Sequence, residues 1–382
     1  MTALAFESHT RSCHATQPPM TRCRIAKRWW LVLAVGALTL GVVQTSAPAQ
    51  NEGTSNGESA ASGQSGNVNQ AADFQEITPK LRQAVEKGLG YLAQQQAANG
   101  SYGSDRYGQH VGITALAALA FMADGHLPGR GEYGDNVERA LDFVLNNASE
   151  SGLIAANTSH GPMYGHGFAT LFLGEVYGQT GDPRLRDVLL KAVRLIVRTQ
   201  NDQGGWRYRP IPENADLSVT ICQVMALRSA RNAGLSVPKE TIEKAIQYVK
   251  KCQNEADGGF RYMLSNNGDS AFPRSAAGVA TLFYAGVYEG QAIERGLEYL
   301  MNNQEGARSR HYYYYGRYYA AQATFLAGGQ YWKQWFPRAR QELLQRQKTD
   351  GRWSSNFGDD YATAMALITL QVPNRLLPIF QR

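Results

Sequence analysis

From residue 81 to the end of the chain, apolar positions recur in a two-part rhythm. An amphipathic stretch ends at Gln or Asn, a Gly-aromatic turn follows, and a second stretch rich in small apolar residues completes the unit. Gly88-Leu-Gly-Tyr-Leu92, Ala140-Leu-Asp-Phe-Val144, Ala192-Val-Arg-Leu-Ile196, Ala245-Ile-Gln-Tyr-Val249 and Gly296-Leu-Glu-Tyr-Leu300 share one pattern, a small residue and then apolar residues at +1, +3 and +4. Eight positions past each small residue stands Gln96, Ala148, Gln200, Gln253 or Gln304, and Gln347 extends the series to a sixth unit. Four units continue into a Gly-aromatic turn that ends at Tyr102, Trp206, Phe260 or Trp353. A fixed period of this length indicates a repeat architecture, because one hairpin cannot bury its apolar face alone and must stack on its neighbours. In the turn, Gly is expected to take the left-handed conformation past a helix end, and the Gln amide to satisfy orphan carbonyls there.

The two halves of each unit differ in kind. Ile242-Glu-Lys-Ala-Ile-Gln-Tyr-Val-Lys250 is amphipathic, with one face for water. Gly112-Ile-Thr-Ala-Leu-Ala-Ala-Leu-Ala120, Ser218-Val-Thr-Ile-Cys-Gln-Val-Met-Ala226 and Tyr361-Ala-Thr-Ala-Met-Ala-Leu-Ile-Thr369 are apolar almost all round, as buried helices are. The prediction is an all-α protein with an inner layer of small-residue helices and an outer amphipathic layer. Neither end of the array shows a polar capping repeat, so six hairpins are expected to close into a ring rather than remain an open solenoid.

The front of the chain changes the charge picture. Arg22, Arg24, Lys27 and Arg28 precede the apolar run Trp29 to Val43 and then Ala47-Pro-Ala49, the layout of a secretory signal peptide with Met1 or Met20 as its start. The run is shorter than the roughly 20 residues that span a bilayer, so cleavage is expected, with a membrane anchor as the outcome if it fails. Residues 50–75 have the Gly-, Ser-, Asn- and Gln-rich composition of a flexible linker, which puts the folded part at 76–382. The whole chain is +6 at pH 7, but residues 1–49 hold five basic residues and one acidic one, which leaves 33 against 31. A mature charge near +2 removes the compositional case for nucleic-acid binding. Cys222 and Cys252 remain after cleavage and are expected as two buried free thiols, although an exported compartment permits a disulfide.

The Gln/Gly/aromatic repeats, Asp216-Leu-Ser-Val-Thr-Ile-Cys-Gln-Val-Met-Ala-Leu227 and Asp360-Tyr-Ala-Thr-Ala-Met-Ala-Leu-Ile-Thr-Leu-Gln371 resemble the squalene cyclase and protein prenyltransferase β-subunit superfamily. The resemblance implies an (α/α)6 toroid around a central cavity that in relatives is aromatic-lined and accepts isoprenoids. It does not bring the family chemistry with it. The cyclase Asp-x-Asp-Asp motif is absent, since Asp359 and Asp360 follow Phe357-Gly358. Of the three prenyltransferase zinc ligands only the aspartate is matched: Ser218 stands two residues after Asp216, and Ala362-Thr363 follow Asp360-Tyr361, too few for zinc. The Gly-Cys-Gly-Glu-Gln motif of thioester domains is missing as well.

Departures from the repeat supply the candidate residues. Aligning the inner helices on Thr114, Thr170, Thr220, Gly278, Ala321 and Thr363 puts His110, His166, Asp216, Arg274, Arg317 and Asp359 at one equivalent position, a polar ring at one mouth. Asp216 and Asp359 are natural helix caps whereas His and Arg are not, so the ring is expected to grip a polar or anionic head group while the barrel takes an apolar chain. A metal at His110, His166 and Asp216 would need three helices about 8–10 Å apart to converge, so no metal and no cofactor is expected. Glu175 stands where sister repeats carry Leu119, Met225 and Phe283, and with Asp216 it is the candidate for acid chemistry on a lipid or a polysaccharide. His311-Tyr-Tyr-Tyr-Tyr-Gly-Arg-Tyr-Tyr319 holds more tyrosine than one turn can hide, which makes Tyr314 and Tyr318 ligand-contact candidates. The expected role is binding of an isoprenoid-type or other amphipathic ligand, or of a protein partner; a divergent enzyme and a structural scaffold are the alternatives.

Overall fold

The computed structural model describes residues 75–103, 107–156, 161–265, 268–304 and 311–381. The expected signal peptide and all of the linker but Gln75 lie outside the described residues. Twelve α-helices follow one another among the described residues: α1 (Pro79–Gln95), α2 (Val111–Met122), α3 (Gly134–Asn146), α4 (Met163–Thr180), α5 (Pro183–Arg198), α6 (Leu217–Asn232), α7 (Lys239–Cys252), α8 (Phe272–Tyr284), α9 (Gln291–Asn302), α10 (Tyr313–Ala327), α11 (Gly329–Arg346) and α12 (Asp359–Gln371). Even-numbered helices pack side by side in chain order, and α12 returns to pack on α2, so the inner layer is a closed ring of six. Odd-numbered helices lie outside it. Every residue of α2 is buried, whereas α5 and α7 bury one stripe each and keep their charged residues outward. The (α/α)6 toroid expected from the repeat is the observed fold.

Small residues set the inner spacing. A Cβ on Gly174 of α4 would stand 2.4 Å from the Ser229 hydroxyl of α6, and one on Gly167 would stand 2.8 Å from the Cys222 Cβ. These helices touch because those positions carry no side chain. Cys222 in α6 and Cys252 in α7 are buried and unbridged, and burial pushes the Cys222 thiol up to about 12.

The repeat motif turns out to be a clamp between units. Gln96 Nε2 donates to Gly100 O at 3.0 Å in its own turn and to Asn136 O at 2.9 Å on α3. Gln200 repeats this with Gly204 O and Thr241 O, Gln253 with Gly258 O and Ala292 O. Gln347 donates to Gly351 O and, across the join of the ring, to Ala84 O of α1, both at 2.8 Å. The amide therefore ties each turn to the next outer helix, not to the end of its own helix as the sequence suggested. Beside it, Gly351 has φ +94°, and a Cβ there would stand 2.3 Å from Lys87 O. Its glycine identity answers to the neighbouring unit as well as to its own backbone.

A second link fixes each turn to its own inner helix. The N–H of Tyr102 donates to Thr114 Oγ1, that of Trp206 to Thr220, Phe260 to Ser275 and Trp353 to Thr363, at 2.9–3.2 Å. In the second unit Ile154 N–H donates to His166 Nδ1 at 3.2 Å. This contact defines the true register of the repeats.

The far end of the ring is closed by the C-terminal segment. Two 3-10 helices, Val372–Asn374 and Pro378–Phe380, follow α12. Gln371 donates to Ala120 O and Asn374 to Ala123 O, while Leu377, Ile379 and Phe380 are buried. Glu175 of α4 holds this tail: one carboxyl oxygen accepts Ile379 N–H at 3.1 Å, the other the Ser229 hydroxyl at 2.7 Å. Complete burial pushes Glu175 up to about 7, against the pull of those two donors.

Two outcomes are expected. Gly351→Ala should lower stability more than Gly181→Ala, a left-handed glycine with nothing within 4 Å of its would-be Cβ; the common conformational cost is about 1–2 kcal/mol, and only Gly351 adds a backbone collision. Chemical denaturation of both variants measures the difference. Glu175 has a folded pKa above its unfolded one, so its contribution is complete below about pH 4.5 and is lost as pH rises through about 7. The parent protein should therefore lose Tm between pH 5 and 8, and Glu175→Gln should flatten that decline.

Candidate functional site: the cavity of the toroid

At the end where the inner helices begin, the ring encloses a cavity of about 1090 Å³. Its wall comes from the first turns of those helices: Gly112, Ile113 and Leu116 of α2, Tyr164, Gly165 and Phe168 of α4, Ser218 of α6, Phe272 to Arg274 of α8, Tyr315 of α10, and Tyr361 and Met365 of α12. The turns add Tyr107, Tyr208, Tyr262 and Phe357. Eight of the described lining residues are tyrosines, and none is Asp or Glu. Burial pushes the phenols of Tyr164, Tyr262, Tyr315 and Tyr361 up, so they stand neutral at any physiological pH.

The wall is internally braced. The Tyr208 and Tyr262 hydroxyls are hydrogen-bonded to each other, and the Arg207 guanidinium lies 4.7 Å from the Tyr208 ring centroid and 5.7 Å from that of Tyr262. Tyr164 packs on Tyr208 at 5.8 Å. At the rim Tyr312 stacks on Phe357 at 5.9 Å, and His311 meets both edge-on. Phe357 then meets Tyr361 at 5.8 Å, so aromatic surface runs unbroken from rim to wall.

The six-residue ring does not survive the true register. His110, Asp216 and Asp359 do occupy one level, four residues before Thr114, Thr220 and Thr363. His166 itself takes the turn N–H, so it belongs one helical turn deeper, where burial pushes it down to about 4. Arg274 is the third residue of α8, whose cap is Ala271. Arg317 is buried and turned outward to Glu342 of α11, among Phe272, Tyr313 and Trp335. The small residues used for alignment, Thr170, Gly278 and Ala321, are packing positions and not the residues that receive the turn.

Of the candidates, His110 and Arg274 line the cavity. His110 caps α2 after all, its Nδ1 accepting Gly112 N–H at 3.1 Å. Asp216 caps α6 through Val219 N–H at 2.9 Å, pairs with Arg207 at 3.4 Å, and is completely buried behind the wall. Burial pushes it up to about 6. Asp359 caps nothing and pairs with Arg352 at 3.0 Å. Glu175 is spent on the tail at the opposite end of the ring. Tyr314 is buried outside the cavity lining, and Tyr318 packs in the core against Tyr319 and, at 6.3 Å, against the cavity residue Phe168. The tyrosine run does serve the cavity, but through Tyr312 and Tyr315.

The residues missed in the sequence share a simple signal. Gly112, Tyr164, Ser218, Pro273 and Tyr361 each stand two positions after the start of the true register, and Leu116, Phe168 and Met365 stand one turn further on. Tyr208 and Tyr262 each lie two residues past the turn aromatic. Among the described residues no cluster of His, Cys, Asp and Glu is placed to hold a metal ion.

Comparison with known proteins agrees with this architecture. Residues 169–337, from α4 into α11, match the family described as the squalene-hopene cyclase C-terminal domain. No curated protein matches the chain by sequence. Among solved structures, the type II terpene cyclase MstE from Scytonema superposes with a TM-score of 0.54 at 12% identity, covering 78% of this chain and 100% of its own. The same cyclase has been seen with geranylgeranyl dihydroxybenzoate as substrate and merosterolic acid A as product. An α-1,6-mannanase of Salegentibacter, an inactive variant bound to α-1,6-mannotriose, gives 0.58 at 10% identity over 78% of this chain and 99% of its own. Cellobiose 2-epimerase from Spirochaeta thermophila gives 0.57 at 12% over 78% and 98%. One fold thus serves terpene and sugar chemistry, and the likeness speaks for the fold. The chain thus carries an (α/α)6 toroid like that of the terpene cyclases, and its residues 169–337 are similar to the squalene-hopene cyclase C-terminal domain.

Proposed function

We propose that this protein binds an apolar or amphipathic small molecule of isoprenoid type in the toroid cavity. The observation that carries the reading is the cavity itself, about 1090 Å³, walled by aromatic rings and free of carboxylates among its described lining residues. Pockets for drug-sized ligands run to about 1,000 Å³ and are mostly apolar with a few placed polar groups, which is the composition found here. Each methylene buried against these rings contributes about 0.8 kcal/mol, enough for a C15–C20 chain to bind tightly without any ion pair. The terpene cyclase neighbour, which holds a geranylgeranyl substrate in the same fold, supports the ligand class.

Acid chemistry has less support. A glycosidase needs two carboxyl groups about 5–10 Å apart on either side of the scissile bond. Asp216 is sealed behind the wall by Val219 and Arg207, and Glu175 sits at the plugged end of the ring. The two are not a catalytic pair.

The proposal includes export. Arg22 to Ala49 have the composition of a cleaved leader, and residues 50–75 that of a tether between the processing site and α1. N-terminal sequencing of the protein from its native host should find Gln50 first and the protein outside the cytoplasm; an intact N-terminus in the cytoplasm would refute export.

Binding is tested by extraction of the purified protein followed by mass spectrometry, and by titration of the emptied protein with farnesol. Co-purification of a polyprenyl or polycyclic lipid, or saturable binding at micromolar concentration, is the expected result. Ser218→Trp, which fills the cavity from the α6 wall, should weaken binding at least tenfold with little change in Tm. Undiminished binding in Ser218→Trp would place the ligand elsewhere.

A further inference from the structure

Three acidic side chains near the mouth, Asp216, Asp359 and Asp360, are engaged by the protein, whereas two nitrogen groups, on His110 and Arg274, line the cavity with donors to spare. Asp216 serves Val219 and Arg207, Asp359 serves Arg352, and Asp360 accepts Gly103 N–H at 3.1 Å. None of the three lines the cavity.

His110 has a fixed tautomer. Nδ1 accepts the Gly112 N–H, so the proton of the neutral ring is on Nε2. The ring lies over the contact between α2 and α4: a Cβ on Gly112 would stand 3.2 Å from His110 Cε1, and so would one on Gly165. Both glycines line the cavity, and their missing side chains leave room for the ring and for access to its Nε2 edge. That nitrogen has no hydrogen-bond partner among the described residues. Burial holds the ring below the usual histidine range, which keeps it a neutral donor.

Arg274 is the other group. Its Nε donates to Phe260 O at 2.9 Å and one terminal nitrogen to Asp269 O. Two backbone carbonyls orient the guanidinium, and it lines the cavity. In a closed ring of six inner helices α2 and α8 stand three places apart, so the two donors come from opposite walls. The phenols of Tyr164, Tyr315 and Tyr361 line the same cavity and can serve as further donors.

We infer that the ligand of this cavity is oxygenated at two separated places: a carboxylate or phosphate held by Arg274, and a second oxygen acceptor, carbonyl or hydroxyl, held by the Nε2–H of His110, with an apolar body between. This rests on the reading of the cavity as a site for amphipathic molecules and narrows it to acidic ones. An aliphatic amine is disfavoured, because it would bring a second cation to Arg274 and the described lining residues include no carboxylate to meet it.

Displacement of Nile red from the purified protein tests this with five probes: hexadecanol, hexadecanoic acid, 16-hydroxyhexadecanoic acid, hexadecyl phosphate and hexadecylamine. The acid and the phosphate should each bind at least tenfold tighter than the alcohol, the hydroxy acid several-fold tighter than the plain acid, and the amine weakest. Arg274→Gln should abolish the preference of acid over alcohol, and Arg274→Lys should keep part of it. His110→Asn keeps a capping oxygen for α2 and, with its shorter side chain, draws the donor back from the position of Nε2, so it should remove only the gain from the ω-hydroxyl. Inorganic phosphate alone should not displace the dye; if it does, the site takes a free anion and the two-ended ligand is wrong. Equal affinity for acid, alcohol and amine overturns the inference and leaves the lipid-binding reading in place. Failure of every probe to displace the dye overturns both.

Discussion

The clamp between consecutive units is the interaction on which the rest depends. A Gln amide donates to a carbonyl of its own turn and to one on the next outer helix, while a glycine lets the same turn lie against that helix's backbone. The four clamps at Gln96, Gln200, Gln253 and Gln347 are alike in their partners, with both bonds at 2.8–3.0 Å. The bonds that the amide donates go to backbone carbonyls, so they transmit geometry whatever side chains the neighbour carries; at Gln96 the amide oxygen also accepts from Asn136 and Arg139. Each unit can then vary its surface and its cavity face while the angle between units is kept. The last clamp, Gln347 to Ala84, joins residues 263 apart and turns a row of hairpins into a ring. The cavity is a consequence of that closure, since six inner helices at a fixed angular step leave a space whose size no single residue determines.

The repeat, the two layers, the closure and the absence of the cyclase and zinc motifs were legible in the sequence because each has a periodic or a local signature. The register of the polar candidates was not. The residue that receives the turn N–H is Thr114, His166, Thr220, Ser275 or Thr363, which share a hydrogen-bond acceptor and little else. A letter-by-letter alignment prefers the recurring small residues, and Gly278 then displaces α8 by three positions and Thr170 displaces α4 by four. Once the acceptor is used instead, the cavity face follows from helix geometry, as positions two and six past the level of His110. The role of Glu175 had no sequence signature, because its partner Ile379 is 204 residues away and in a tail outside the repeat.

Burial and function part company in this protein. The two carboxyls with raised pKa, Glu175 and Asp216, would draw attention as acid catalysts on that ground alone. Their hydrogen bonds give them other work: Glu175 anchors the plug of the far end, and Asp216 caps α6 and steadies Arg207 behind the aromatic wall. His166 likewise spends its acceptor on a turn where sister repeats use a hydroxyl. These polar groups hold the ends of helices inside a closed ring, where water cannot satisfy them and an unpaired group would cost about 1–3 kcal/mol.

That division leaves the cavity with a distinct chemical character. The scaffold takes up Asp216, Asp359 and Asp360, and the described inner surface carries rings, hydroxyls, two imidazoles and one guanidinium. To a bound molecule the described wall presents donors and a cation. A donor-lined aromatic cavity stabilises a molecule that has acceptors and apolar surface. The same closed ring that resembles the terpene cyclases in shape is thereby suited to holding such a molecule.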